Sequence, residues 1–178
     1  MDQRSYVVIT SMGTDRPGIV ADLSGWILEL GGNIEDSRMS LLGGEFATLV
    51  LVSGPADLLN RVQDTVGAFE GRTGLHVVSK AVSARPGYSG EPLLRYDLRT
   101  TSLDHPGIVH EVTGLLRSKN INIVTASTGT SPAPFTGVPV FHFEMQVDIP
   151  ASIALSELRD DLRQLGDRER IDFVLTPA

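Results

Sequence analysis

Hydrophobic residues in the first half of the chain switch between an alternating and a helical spacing, which predicts a series of strands and helices. The run Tyr6–Thr10 is rich in β-branched residues and ends at turn residues, as a buried strand does. After Pro17, which suits the first turn of a helix, apolar residues recur every three to four positions until Gly31-Gly32. These residues form one face of the helix, which we predict to pack in the core and which includes the single tryptophan. The face consists of Ile19, Leu23, Trp26, Ile27 and Leu30.

Two strands, a second helix and a closing strand follow in the pattern. Asn33–Leu42 alternates loosely and Phe46–Val52 is strongly apolar, with Gly43-Gly44 as the hairpin turn between them. A helix starting at Pro55 and a strand at Leu75–Val82 complete this half. The predicted order is β-α-β-β-α-β.

The second half of the chain repeats the first. With an offset of 89, eight of the 21 residue pairs between 14–34 and 103–123 are identical. After an insertion of six residues the offset becomes 95, so that Phe46 aligns with Phe141. The identical pairs are Asp15/Asp104, Pro17/Pro106, Gly18/Gly107, Ile19/Ile108, Val20/Val109, Gly25/Gly114, Asn33/Asn122 and Ile34/Ile123. The chain is an internal duplication.

The elements of the second half have the same order. The predicted strands are Leu94–Thr100, Asn122–Thr128, Val138–Val147 and Ile171–Leu175, and the predicted helices begin at Pro106 and contain Leu155, Leu158, Leu162 and Leu165. This order predicts an α+β fold of two tandem ferredoxin-like units, each an antiparallel sheet with both helices on one face. The Pro- and Gly-rich stretch 83–92 predicts a linker between domains at 1–82 and 93–178.

Composition excludes several classes of function. The net charge of −7 disfavours binding to a nucleic-acid backbone, and the lack of cysteine excludes disulfides and thiolate metal sites. No apolar run is long enough for a membrane helix, and the N-terminus lacks a signal-peptide pattern, so we expect a cytoplasmic protein. The four histidines have no metal-site spacing, and the common catalytic motifs are absent. We therefore expect no enzyme activity, metal or cofactor.

The repeated turn before each first helix permits two interpretations. Pro17 and Gly18 could do no more than turn the chain tightly, with Asp15 offsetting the positive end of the helix. Alternatively, the glycine lets the carboxylate of a ligand approach main-chain amides, and Asp15 takes an ammonium group. Asn33, after the helix, offers an amide donor and a carbonyl acceptor. A molecule with a carboxylate next to an ammonium is an α-amino acid.

The motifs D-R-P-G-I-V and G-G-N-I in a βαββαβ unit resemble the ACT domain, a module that typically binds amino acids where two such units meet. The segment Gly31–Gly54 and the tandem arrangement resemble the glycine cleavage system transcriptional repressor family. That resemblance implies an amino acid, with glycine suggested, as ligand, and action through a transcriptional activator as protein partner, without direct DNA contact. The ligand contacts it implies are Asp15, Arg16, Pro17, Gly18, Ile19 and Asn33, with Asp104, Pro106, Gly107, Ile108 and Asn122 in the second copy.

The two copies diverge after the shared asparagine. The charged Glu35, Asp36 and Arg38 have no charged counterparts, and the second copy gains Gly129–Pro134, which we interpret as a longer loop. We therefore expect one better site in the first half, or a site completed between halves or between chains. The three charges either protect an edge strand from unwanted pairing or contact a partner.

Two other functions stay open at this stage. The chain could be a regulatory subunit or fragment of an amino-acid or folate-metabolism enzyme, because formyltetrahydrofolate deformylases begin with a similar ACT unit. It could also be a purely structural device that oligomerises, for example as a homodimer, through its edge strands.

Overall fold

The chain forms two compact units, one in each half of the sequence. The computed structural model describes residues 4–83, 91–134 and 136–178. Most of the predicted linker, residues 84–90, lies outside the described residues, so the boundaries 1–82 and 93–178 stay a prediction.

Each unit has the predicted order of elements. The first consists of β1 (Ser5–Thr14), α1 (Ile19–Glu29), β2 (Asn33–Leu42), β3 (Glu45–Gly54), α2 (Leu58–Thr73) and β4 (His76–Val82). The second consists of β5 (Leu93–Leu103), α3 (Ile108–Ser118), β6 (Asn122–Pro132), β7 (Pro139–Pro150), α4 (Leu155–Glu169) and β8 (Ile171–Pro177). The sheets have the strand orders β2-β3-β1-β4 and β6-β7-β5-β8, with antiparallel pairing throughout. The predicted tandem ferredoxin-like fold is confirmed.

The helices of each unit cover one face of its sheet and leave the other face open. In the first unit Val7 and Ile9 of β1 are fully buried beneath Leu23 and Ile27 of α1. The second unit has an equivalent core, which includes Leu98, Val112, Leu116, Phe143 and Leu158. Burial of side chains of this size stabilises a fold by about 1.5–3 kcal/mol each.

Trp26 lies in the core of the first unit, as predicted. Its side chain is almost fully buried, and its ring stacks on that of Phe69 with the centroids 4.4 Å apart. The indole Nε1 donates a hydrogen bond to Thr65 Oγ1 at 3.0 Å, which satisfies the one polar atom of the buried ring. Trp26 therefore joins α1 to α2.

Three details of the sequence prediction are wrong. Helix α2 begins at Leu58 and not at Pro55. Gly129–Pro132 extend strand β6 instead of forming a loop, because they continue to pair with Pro139–His142 of β7. The first helices begin after the prolines, at Ile19 and Ile108, because Gly18 and Gly107 have backbone angles that an α-helix cannot contain.

None of the helices in the described ranges is both long enough and apolar enough to span a bilayer.

Candidate functional site

The turn between β1 and α1 presents uncapped main-chain amides. Gly18 is the N-cap residue of α1, with φ 95° and ψ −5°, and no side chain caps this helix end. Its carbonyl accepts the first helical hydrogen bond, from Asp22 N at 2.8 Å. The preceding Asp15 is exposed, and its N–H donates to Gly44 O of the β2–β3 turn at 2.9 Å. The free amides at the start of α1 and the positive end of its helix dipole therefore lie beside the exposed carboxylate of Asp15.

The second unit reproduces this turn. Gly107 is the N-cap residue of α3 with φ 102° and ψ −14°, again without a side-chain cap, and its carbonyl accepts from Glu111 N at 3.0 Å. Asp104 N donates to Pro139 O at 3.3 Å, which ties the turn to the start of β7. A left-handed glycine at an uncapped helix start therefore occurs in both copies, although the neighbouring residue changes from Arg16 to His105.

Arg16 lies across the start of α1. Its Nη2 donates to Asp22 Oδ2 at 2.7 Å and to the carbonyl of Thr73, at the end of α2, at 3.2 Å. Its Nη1 lies 3.7 Å from the position that a Cβ would take on Gly18. The guanidinium therefore joins the two helices of the unit and at the same time places positive charge beside the uncapped amides.

Asn33 lies at the opposite end of the sheet from Asp15 and Gly18. It pairs with Ser53, which pairs with Tyr6 near the beginning of β1. The turn follows Thr14, at the end of the same strand, so the two sites are separated by about 26 Å of extended chain. The carboxylate and ammonium of an α-amino acid are attached to one carbon, so one such molecule cannot touch both. The structure does not bring these predicted contacts together within a unit.

The same separation holds in the second unit. Asn122 pairs with Asp148, which pairs with Arg95 near the beginning of β5, whereas Asp104 and Gly107 follow the end of that strand. Asn122 lines a separate cavity of about 380 Å³ at the end of α3, together with Arg117. The predicted residues therefore form two groups in each copy, one at each end of the sheet.

Asn33 lines an open cavity of about 550 Å³ that the sequence prediction does not include. Its walls are Arg4, Gly31, Asn33, Ser53, Gly54, Pro55 and Ala56. The dipeptide Pro55-Ala56 recurs as Pro150-Ala151 in the second copy. This repeat is the sequence signal that points to this end of the sheet. The amide of Asn33 donates to Glu35 Oε1 at 3.1 Å, and Ser53 Oγ donates to the same oxygen at 2.5 Å. These bonds, that from Ser53 first, lower the pKa of Glu35.

The charged residues after Asn33 lie on an edge strand, as predicted. β2 is the outermost strand of its sheet and contains a bulge between Ile34 and Asp36. Arg38 Nη1 and Asp36 Oδ1 form an exposed ion pair at 2.6 Å, whose hydrogen bond lowers the pKa of Asp36. Both the edge protection and the partner contact proposed for these charges are compatible with this position.

No group of three His, Cys, Asp or Glu side chains within the described ranges is placed to hold a metal ion.

Comparison with known proteins identifies the two units. The ACT domain family matches residues 5–80 and, separately, residues 96–166. The chain is 28% identical over 167 residues to the glycine cleavage system transcriptional repressor of Escherichia coli (strain K12), an alignment that covers 93% of this chain and 86% of the repressor. A crystal structure of a protein from Galdieria sulphuraria is 31% identical, superposes with a TM-score of 0.84, and covers 99% of both chains. Both the order of elements and these alignments show that the chain belongs to the ACT domain family, with one ACT domain in each half.

Proposed function

We propose that this chain is an amino-acid-responsive regulator. The ligand binds at the N-termini of α1 and α3, where a glycine is the N-cap residue, and its binding alters the contact with a protein partner. The observation that carries the proposal is the repeated turn, in which Gly18 and Gly107 have nearly the same left-handed backbone at a helix start without a side-chain cap. The likeness to a glycine cleavage system transcriptional repressor over 93% of the chain supports a regulatory role.

The chemistry of the turn suits a zwitterion. The carboxylate of an amino acid would accept hydrogen bonds from the amides at the start of α1, with the guanidinium of Arg16 nearby and Asp15 available to the ammonium group. A helix-end charge contact contributes about 0.5–2 kcal/mol and each charge-assisted hydrogen bond about 1.5–3 kcal/mol. After the loss of translational freedom, this gives micromolar to millimolar affinity, a range that suits the sensing of a metabolite.

The partner in this proposal is a protein, and the chain does not itself bind DNA. A net charge of −7 works against phosphate contacts, which depend on clusters of lysine and arginine. In this proposal the partner is a transcriptional activator, as the resemblance of the sequence motifs implies, and glycine is the first ligand to test because a glycine cleavage system repressor is similar to this chain. Fluorescence anisotropy with a labelled DNA duplex should show no binding by the chain alone at physiological salt.

A thermal-shift screen of the full chain against the twenty amino acids tests the ligand. At least one amino acid should raise the melting temperature in a dose-dependent way, since a ligand that binds the folded state stabilises it by RT ln(1 + [L]/Kd). Gly18→Val should abolish or weaken the response, because a β-branched residue is strained at φ 95° and the start of α1 must change its backbone. If none of the twenty amino acids gives a shift, the proposal is wrong.

Gly25→Val is a matched control, because Gly25 lies inside α1 with nothing within 4 Å of the Cβ position. It should keep the ligand response whatever its effect on stability. Gly107→Val and Gly114→Val form the same pair in the second unit, where Gly114 is equally unobstructed. Comparing the two pairs shows whether one or both ACT domains bind the ligand.

Asn33→Ala tests the role of the distant cavity. Because Asn33 and Gly18 lie at opposite ends of β1, a ligand held at α1 of one unit does not touch Asn33 of the same unit. The substitution should therefore leave the shift intact. Loss of the shift in Asn33→Ala, with the fold preserved, would assign the ligand to the Asn33 cavity or to a site that needs both ends.

A further inference from the structure

The first unit presents an apolar surface on the open face of its sheet, the face that carries no helix. Register places six apolar residues on that face, around Thr10: Val8, Met12, Ala47, Leu49, Leu51 and Val78. Met12, Leu49 and Val78 are 53%, 48% and 58% exposed. Charged residues border them, with Asp36 and Arg38 on β2 and Lys80 on β4. An apolar patch with a polar border is typical of a protein interface.

The second unit, although built from the same repeat, has a polar open face. In its sheet the equivalent positions carry Asp97, Thr101, His142, Glu144, Gln146 and Val174. Arg99 and Glu144 form a loose ion pair there, at 3.9 Å. The fold itself therefore does not require apolar residues on this face, and their presence in the first unit needs another explanation.

We propose that the open face of the first unit is a dimer interface, which packs against the same face of a second copy of this chain as two sheets of a sandwich do. A two-fold axis would bring Val8, Leu49 and Val78 of each copy against the same apolar patch. Four strands at about 4.8 Å spacing and about nine residues in length cover about 600 Å² per copy. The two copies together then bury about 1,200 Å², which reaches the lower limit for a specific interface.

A second copy fits this face better than a partner with a charged surface. The centre of the face offers no charge, and burying an unpaired charge of a partner against it would be strongly unfavourable. An identical apolar patch has no such penalty, and the border charges of both signs can pair across the two-fold axis. The inference does not depend on the ligand proposed above, because it concerns side chains on the open face of the sheet, whereas α1 packs on the opposite face.

Sedimentation equilibrium of the full chain, without any amino acid, tests the interface. The wild-type chain should have twice the mass of one 19.2 kDa chain. Val78→Glu should raise the dissociation constant of the dimer at least about 100-fold, because two carboxylates become buried in an apolar interface. Val174→Glu is the matched control, since Val174 takes the equivalent position on β8 and is 56% exposed. It should leave the dimer intact.

Three outcomes would overturn the proposal: a monomeric wild-type chain, a dimer that survives Val78→Glu, or a dimer that both variants abolish. Circular dichroism establishes that each variant is folded. If Val78→Glu does not fold, Leu49→Lys on β3 serves as the second variant.

Labelling of single cysteines tests the interface without placing a charge in it. The chain has no cysteine, so Thr10→Cys and Arg99→Cys each introduce one thiol, at equivalent exposed positions of the two open faces. The rate of maleimide labelling at Thr10→Cys should fall as protein concentration rises and dimers form. The rate at Arg99→Cys should stay constant. Equal, concentration-independent rates would place any dimer contact elsewhere.

Discussion

The guanidinium of Arg16 lies 2.7 Å from the carboxylate of Asp22, and this pair spans from the β1–α1 turn to the first turn of α1. The second unit keeps the acidic residue, Glu111, but its arginine comes from the other helix: Arg168 of α4 lies 3.2 Å away. In both units one arginine thus links the start of the first helix with the end of the second. Duplication preserved the contact while the residue that makes it changed.

Arg16→Ala should destabilise the first unit by about 0.5–1 kcal/mol. The ion pair is about 40% exposed on both sides, so solvent weakens it, and the bond to the Thr73 carbonyl adds a modest amount. Urea unfolding followed by tryptophan fluorescence measures the difference. Arg16→Lys should recover part of the loss by restoring the charge near Asp22. A variant as stable as the wild type would show that the contact contributes nothing.

Gly32→Ala should destabilise the first unit by about 1–3 kcal/mol, because the space for a methyl group is already occupied. A Cβ at Gly32 would lie 2.7 Å from Val52 Cγ1, 2.9 Å from Ile27 Cγ2 and 3.1 Å from the carbonyl of Ile27. Gly25→Ala is the control. Its Cβ meets nothing within 4 Å, and alanine stabilises a helix interior by about 0.5–1 kcal/mol relative to glycine. Equal effects of the two substitutions on urea unfolding would contradict this account of the Gly31-Gly32 motif.

Element boundaries were predictable where glycines mark both ends. Asn33–Leu42 was predicted with its observed bounds, because Gly31-Gly32 ends the preceding helix and Gly43-Gly44 turns the hairpin. The prediction of a loop at Gly129–Pro132 is wrong because glycine, serine and proline favour turns, whereas pairing with β7 holds this segment in a strand. An edge strand pairs on one side only, and Pro132 at its end is compatible with that position.

The sequence proposes residues for the candidate site but not their arrangement. The left-handed glycine and the open helix start follow from the D-x-P-G-I-V motif in both copies. The separation of Asn33 from Asp15 follows from the length of α1, whose 11 residues carry the chain back along the sheet. The cavity at Asn33 depends on Arg4 and on the β3–α2 connection, which become neighbours only in the folded unit.

Ser53→Ala should reduce the dependence of stability on acidic pH. Hydrogen bonds from Ser53 and Asn33 lower the pKa of Glu35 in the folded state below its ordinary value of 4.5. A carboxyl with a depressed folded-state pKa stabilises the fold above its unfolded pKa, and this stabilisation is lost as pH falls through the folded pKa. Urea unfolding between about pH 3 and pH 6 should give a shallower slope for Ser53→Ala than for wild type. Ser40→Ala, on the same sheet without this contact, should keep the wild-type slope.

Lys119→Met should destabilise the second unit while leaving the tryptophan signal of the first unchanged. Lys119 Nζ lies 2.5 Å from both Glu157 Oε1 and Asp161 Oδ2, so it joins the end of α3 to α4, and the hydrogen bond to Asp161 is the main cause of its raised pKa. Without the ammonium, two carboxylates one turn apart on α4 repel each other, so the urea midpoint of the second unit should fall.

Trp26 makes this effect separable, because it is the single tryptophan of the chain and lies in the core of the first unit. Tryptophan fluorescence therefore reports the unfolding of the first unit, and circular dichroism reports the unfolding of both units. With Lys119→Met, part of the circular dichroism transition should move to lower urea while the fluorescence midpoint stays in place. Leu30, the equivalent residue in the first unit, is buried rather than charged, so the same contact is absent there. A fluorescence midpoint that moves together with the circular dichroism would show that the two ACT domains unfold as one cooperative body.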